Sequence, residues 1–107
     1  MARGVERGDI WLYRFAKPDK RRAVLVLSRP AALTLLRSAI VAPVTSTIHG
    51  VPSELRVGVA DGLKLECVVN FDNLLTVDQA DLRQFVGHLD ERRMRAACAA
   101  IELALGC

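Results

Sequence analysis

Up to residue 90 the apolar residues of this chain come only in short runs, separated by proline, glycine, polar or charged residues. Runs of that kind, rich in β-branched residues, are too short for stable helices and suit strands. "GDIWLYRF" (Gly8–Phe15) stops at Lys17–Pro18–Asp19, and "AVLVLS" (Ala23–Ser28) follows the polar loop "AKPDKRR". Pairing these two as a hairpin is the simplest topology. "AIVAPV" reads as a third strand. Its Pro43 has no N–H to give a ladder, which predicts an edge or a bulge. "ELRVGV" (Glu54–Val59) alternates, with Leu55, Val57 and Val59 on one face. "LECVVNFDN" (Leu65–Asn73), a short element near Leu74–Val77 and "QFVGHL" (Gln84–Leu89) complete the set. "HGVPS" and "ADG" mark turns, and "DQADL" one helical turn capped by Asp78. "RPAALTLLRS" (Arg29–Ser38) fits either a short helix started by Pro30 or an irregular excursion.

After residue 90 the period changes. Met94, Ala97, Cys98, Ile101 and Leu105 fall at i, i+3, i+4, i+7 and i+11, one face of a helix. Asp90 is its expected N-cap and Gly106 its stop. The pattern predicts a fold that is mainly β with a C-terminal helix: a small barrel or compact sheet under a covering helix. With 107 residues, 51% of them apolar, a single domain spanning 1–107 is expected, with material for one core.

Several classes are disfavoured. No apolar run reaches membrane-spanning length, and the N-terminus lacks a signal peptide's apolar region. Cys67, Cys98 and Cys107 are too scattered for a disulfide framework, and there is no CxxC pair. His49 and His88 lie far apart, so neither a zinc site nor a cofactor is expected. Reduced thiols and a cytoplasmic location follow, with Cys98 in the core and Cys107 a loose terminal thiol.

Charge is unevenly spread. Residues 1–38 hold nine Arg/Lys and three acids, a balance of +6, whereas the remainder hold six basic and nine acidic residues, a balance of −3. A basic patch of this kind attracts polyanions by its summed field and by counterion release. Its alternative role is a solvated face.

Four groups of residues can carry chemistry. Arg21 and Arg22 stand where a loop feeds a buried strand, which gives a planar guanidinium a rigid base suited to phosphate. Thr45, Ser46 and Thr47 can orient phosphate oxygens or a ribose hydroxyl, and can equally cap turns. His49 can shuttle a proton near neutral pH. Asn70, Asp72 and Asn73 sit at a strand end, and the period of two puts Asn70 and Asp72 on one face. Trp11 and Phe71 can stack on bases or pack in the core.

In order and spacing these stretches resemble the MazF/PemK family of toxin endoribonucleases. "RGDIWLYRF" resembles the family's opening strand, "RRAVLVLS" its arginine-led second strand and "IVAPVTSTIHGVPSEL" its Pro-Thr block. "ECVVNFDNLLTVDQADL" is a looser match to its later strands. The resemblance implies a small SH3-like barrel of the CcdB/PemK type, a homodimer, and single-stranded RNA lying across it. It also implies metal-independent cleavage at a short sequence, and a cognate antitoxin with an acidic disordered segment.

Carried over residue by residue, the resemblance makes Arg22 the catalytic arginine and Thr45 the catalytic threonine. Asp72 corresponds to the acid of an Arg-x-Asp pair whose arginine is here Asn70. The first loop is shorter than usual, and Ala23 replaces the customary proline. Under this reading Arg22 stabilises the scissile phosphate, Thr45 orients it, and Asp72, with His49 second, accepts a proton. Lys20, Arg21, Ser46, His49, Asn70 and Asn73 contact the RNA. Two rivals are a CcdB-like inhibitor of DNA gyrase and a non-catalytic SH3-like RNA-binding module.

Overall fold

The computed structural model describes residues 4–14 and 21–107. Among the described residues seven strands appear in chain order: β1 Asp9–Arg14, β2 Arg21–Val26, β3 Ser38–Thr45, β4 Glu54–Val57, β5 Cys67–Asn70, β6 Leu75–Asp78 and β7 Leu82–His88. A short helix, α1 (Pro30–Leu35), joins β2 to β3, so the ambiguous stretch is helical. A longer helix, α2 (Glu91–Leu105), closes the chain. The sheet is antiparallel and runs β4-β5-β3-β2-β1-β7, with β6 pairing β3.

The apolar run of β2 has no polar alternation because both of its faces are covered. Ala23 and Leu25 face a main core with Ile10, Val69, Phe71, Leu89 and the α2 residues Met94, Ala97 and Ala100. Val24 and Val26 face a second cluster with Trp11, Val41, Val77 and Leu82. Each fully buried aliphatic side chain is worth about 1.5–3 kcal/mol, so the two clusters together hold the sheet's centre.

The expected hairpin of β1 and β2 is present, in the register Ile10–Leu25 to Arg14–Arg21. Pro43 departs from expectation, since it lies in an interior strand. Leu27 donates to the Ile40 carbonyl, so even-numbered β3 residues direct their backbone groups toward β2. Pro43 therefore directs its missing donor to the other edge, where β6 pairing ends at Val41 and β5 pairing starts at Val44. The strand expected over Leu65–Asn73 is only Cys67–Asn70, because Asn70 caps a 3-10 turn over Phe71–Asn73.

The barrel is not closed by hydrogen bonds: β4 and β7 are the two ends of the sheet. The 3-10 turn Val59–Asp61 after β4 instead packs on β7. A Cβ on Gly87 would collide with the Asp61 carbonyl, and one on Gly62 with the Val86 carbonyl. Two glycines thus permit the backbone approach that seals the seam.

Asp9 is fully buried, yet satisfied. Its carboxylate accepts from the Glu6 amide (2.9 Å) and Trp11 Nε1 (3.1 Å), and lies 2.8 Å from His88 Nδ1. This ties β1 to β7 and gives the opening Gly-Asp-Ile-Trp stretch a structural role. On α2, Asp90 caps the helix by accepting from the Arg93 amide at 2.8 Å. Cys98 is exposed rather than in the core, and Arg7 Nη2 reaches its Sγ at 3.3 Å. The buried stripe of α2 is Met94, Ala97 and Ala100, rotated away from Cys98.

Candidate active site

Strand pairing, not sequence proximity, assembles the site. β2 and β3 pair Val26 with Val41, Leu25 with Ala42 and Val24 with Pro43. The pairing ends at Val24–Pro43; continued in the same register, it would set Arg22 opposite Thr45. Directly opposed residues of an antiparallel pair project to one face with Cβ atoms about 4.5–5.5 Å apart. On its other side, Arg22 pairs with Tyr13 of β1. Thr45 pairs with Val68 of β5, and Asn70, two residues on, pairs with Glu54 of β4. One face therefore carries a polar row across five strands: Tyr13, Arg22, Thr45, Asn70 and Glu54.

The arginine is exposed, and among the described residues its guanidinium makes no hydrogen bond or ion pair. Its base is rigid, because Ala23 and Val24 behind it are buried. Thr45 Oγ1 accepts from the Thr47 amide at 3.1 Å, which fixes the hydroxyl and leaves its proton to donate outward. Ser46 and His49 are exposed in the loop after β3. That loop is shaped by Glu54, whose carboxylate accepts from the amides of His49 (3.2 Å) and Gly50 (2.9 Å).

Asp72 is held on the turn after β5. Its Oδ2 accepts a 2.6 Å bond from the Ser53 hydroxyl, and its amide donates to Asn70 Oδ1 at 2.9 Å. The shared face expected for Asn70 and Asp72 does not arise, because the 3-10 turn between them breaks the period of two. Asn73 is exposed on the same turn. Arg21 adjoins Arg22 but projects to the opposite face of β2. Lys20 lies outside the described residues. Trp11 and Phe71 are 5% and 1% exposed, so neither is free to stack on a base.

Three contributors escaped the sequence. Tyr13, Ser53 and Glu54 matter through partners that are 9, 19 and 5 residues away along the chain. Only a known register would have signalled them. Among the described residues, no three His, Cys, Asp or Glu side chains gather as a metal site would need.

Residues 6–105 match the family model of the PemK-like, MazF-like toxin of type II toxin–antitoxin systems. This chain belongs to that family. It is 44% identical over 103 residues to a probable endoribonuclease MazF5 of Mycobacterium tuberculosis, covering 94% of this chain and 93% of that one. It is 33% identical over 104 residues to a probable endoribonuclease MazF2 of the same organism, covering 96% and 100%. Among solved structures, the M. tuberculosis toxin MazF-mt6 superposes with a TM-score of 0.83 at 32% identity, over 92% of this chain and 96% of that one. A mycobacterial endoribonuclease solved with its cognate antitoxin shares the fold, with a TM-score of 0.85 at 22% identity over 96% of both chains. Neither the gyrase inhibitor nor the non-catalytic module finds support in these relatives.

Proposed function

We infer that this protein is the endoribonuclease toxin of a type II toxin–antitoxin pair. What supports the reading is the β2–β3 register, which when continued puts Arg22 and Thr45 on one face at adjacent strand ends, in a chain whose relatives bear the name endoribonuclease. The substrate is single-stranded RNA and the nucleophile is its own 2′-hydroxyl. The 2′-oxygen forms a bond to phosphorus, the bond to the 5′-oxygen breaks, and the departing 5′-oxygen takes a proton from water, so the products end in a 2′,3′-cyclic phosphate and a 5′-hydroxyl. No metal is required by this chemistry.

Arg22 neutralises the charge that develops on the nonbridging oxygens. Thr45 donates to one of them or aligns the 2′-hydroxyl. Asp72, fixed by Ser53, takes the 2′ proton, with His49 as the second candidate. Ser46, Asn70 and Asn73, with Lys20 and Arg21, supply contacts along the strand. The protein acts in the cytoplasm as a homodimer and is neutralised by a cognate antitoxin with an acidic disordered segment. No helix among the described residues is long and apolar enough to cross a membrane, which suits that location.

The test is a long RNA incubated with the purified protein and a chelator, followed by mapping of new 5′ ends. Wild-type protein should cut, and Arg22→Ala and Thr45→Ala should not. Cleavage by both variants at the wild-type rate would overturn the assignment.

A further inference from the structure

We propose that Glu54 is a positioning residue for RNA cleavage: its carboxylate latches the loop after β3 and holds His49 in place before RNA arrives. This rests on the endoribonuclease reading and gives a task to a residue that the reading does not use.

The latch begins with topology. β3 and β4 each pair antiparallel with β5, which lies between them, so they run parallel to one another. The eight residues 46–53 must therefore cross over β5 to reach β4. Glu54 shares a face with Asn70 and Thr45, and its carboxylate bonds amides of the crossing segment. The crossing accordingly lies on the face that carries Thr45. Val68, which pairs with Thr45 on one side and Arg56 on the other, is fully buried, as a residue beneath the crossing must be.

Few bonds hold that crossing. Among the described residues, none of 47–50 makes a backbone–backbone hydrogen bond. Two side chains supply the order instead, one ending β3 and one opening β4. Thr45 Oγ1 accepts from the Thr47 amide at 3.1 Å. Glu54 Oε1 accepts from the amides of His49 (3.2 Å) and Gly50 (2.9 Å), and its Oε2 lies 3.3 Å from the His49 amide. The left-handed turn at Gly50 (φ 74°) presents two successive amides to one anion, as backbone nests do. Bonds to an ionised acceptor are the stronger kind.

The charge of Glu54 points to its role. A carboxylate repels an anionic strand, so on this face it is a liability unless it serves the site. Among the described residues no cation pairs with it, and the two amides answer its charge. It stands two strand spacings from Thr45, on the order of 10 Å, too far to touch the phosphate that Thr45 aligns. Its action on the reaction therefore runs through the loop. A loop ordered in advance spares the complex the entropy of ordering it on binding. His49, exposed beside the latch, is the side chain that gains a fixed place.

The test compares Glu54→Ala with Glu54→Gln, whose amide oxygen still accepts from both backbone N–H groups. Amide hydrogen exchange at His49 and Gly50, followed by NMR, should quicken about tenfold in Glu54→Ala and stay near wild type in Glu54→Gln. On a short RNA containing the site mapped for wild type, Glu54→Ala should raise KM about tenfold and leave kcat within about threefold. Glu54→Gln should keep both. In a His49→Ala background, Glu54→Ala should change KM by less than about threefold, because the side chain it positions has gone. Should Glu54→Ala not fold, Glu54→Met, which keeps the length of the side chain and offers no oxygen, takes its place.

Wild-type exchange and KM in Glu54→Ala would overturn the latch. Equal losses in Glu54→Ala and Glu54→Gln would do the same, as would an undiminished effect without His49. None of these outcomes touches the endoribonuclease reading. Failure of wild type to cut RNA would overturn that reading. The latch is then judged by amide exchange and by affinity for single-stranded RNA, which Glu54→Ala should lower about tenfold.

Discussion

The carbonyl oxygen of Asp61 occupies the space that a side chain on Gly87 would need. This contact joins the turn after β4 to β7, the two ends of an otherwise open sheet. The same turn is tied to α2, since Asp61 Oδ1 lies 3.1 Å from Arg93 Nη1 and Arg93 Nη2 donates to the Arg56 carbonyl at 2.6 Å. Strand order, helix and turn therefore meet at one seam.

Gly87→Ala is expected to destabilise the protein by about 3 kcal/mol, the upper range for forced overpacking, because the obstacle is backbone and cannot rotate away. Urea denaturation followed by circular dichroism measures this. Ala substitution at Gly50, where nothing lies within 4 Å, meets no such obstacle and is the control. Its cost is confined to the positive φ of 74°. Equal losses at the two positions would remove the seam from the account of stability.

Arg22→Lys should recover little of the activity that Arg22→Ala loses. A lysine keeps the charge but lacks the planar fork, and removal of one transition-state donor costs about 3–4 kcal/mol, or 10²–10³ in kcat. Thr45→Ser should retain most activity, because the hydroxyl survives, whereas Thr45→Val should not. Single-turnover cleavage of an end-labelled RNA separates these cases.

Asp72→Asn is expected to lower kcat by about 10²–10⁴, the usual worth of a positioned general base. Ser53→Ala keeps the carboxylate but removes its 2.6 Å donor. It should cost less, about tenfold, by loosening the carboxylate's position. The kcat values of the two variants, measured with saturating RNA, are the check. A wild-type kcat in Asp72→Asn would move the proton acceptor to His49.

Partial burial, with the charge of Glu66 beside it, pushes the Cys67 thiol above its ordinary 9.0. A folded pKa above the unfolded value means that the native state binds more protons between the two. The associated stability is complete below pH ~9 and is lost as pH rises through the folded pKa. Thermal melts from pH 7 to 11 should fall more gently for Cys67→Ala than for wild type. Thiolate is the reactive form, so the exposed Cys98 and Cys107 should alkylate before Cys67 at pH 8.

Much of the fold was legible from periodicity. Val24, Leu25 and Val26 announce a strand buried on both faces, and the apolar spacing after Asp90 announces a helix. Where the reading failed, a local hydrogen bond or a remote contact intervened. Asn70 ended β5 early by capping a turn. Pro43 stayed inside the sheet because its missing donor met a gap between β5 and β6. Cys98 was placed in the core because apolar spacing marks a stripe only to within one residue's rotation, and the packing of Met94 and Ala97 decided the rest.

By itself, the amino-acid sequence determined which segments become strands or helices and which face of each is apolar, because side-chain periodicity is a local property. It also supplied the candidate side chains, Arg22 and Thr45 among them. Which residues stand opposite one another was decided by the tertiary structure. Register, the β7 bulge at Arg83 and the Gly87–Asp61 seam come from pairing between distant segments. A shift of one residue in that pairing would send Arg22 and Thr45 to opposite faces with no change in their order along the chain.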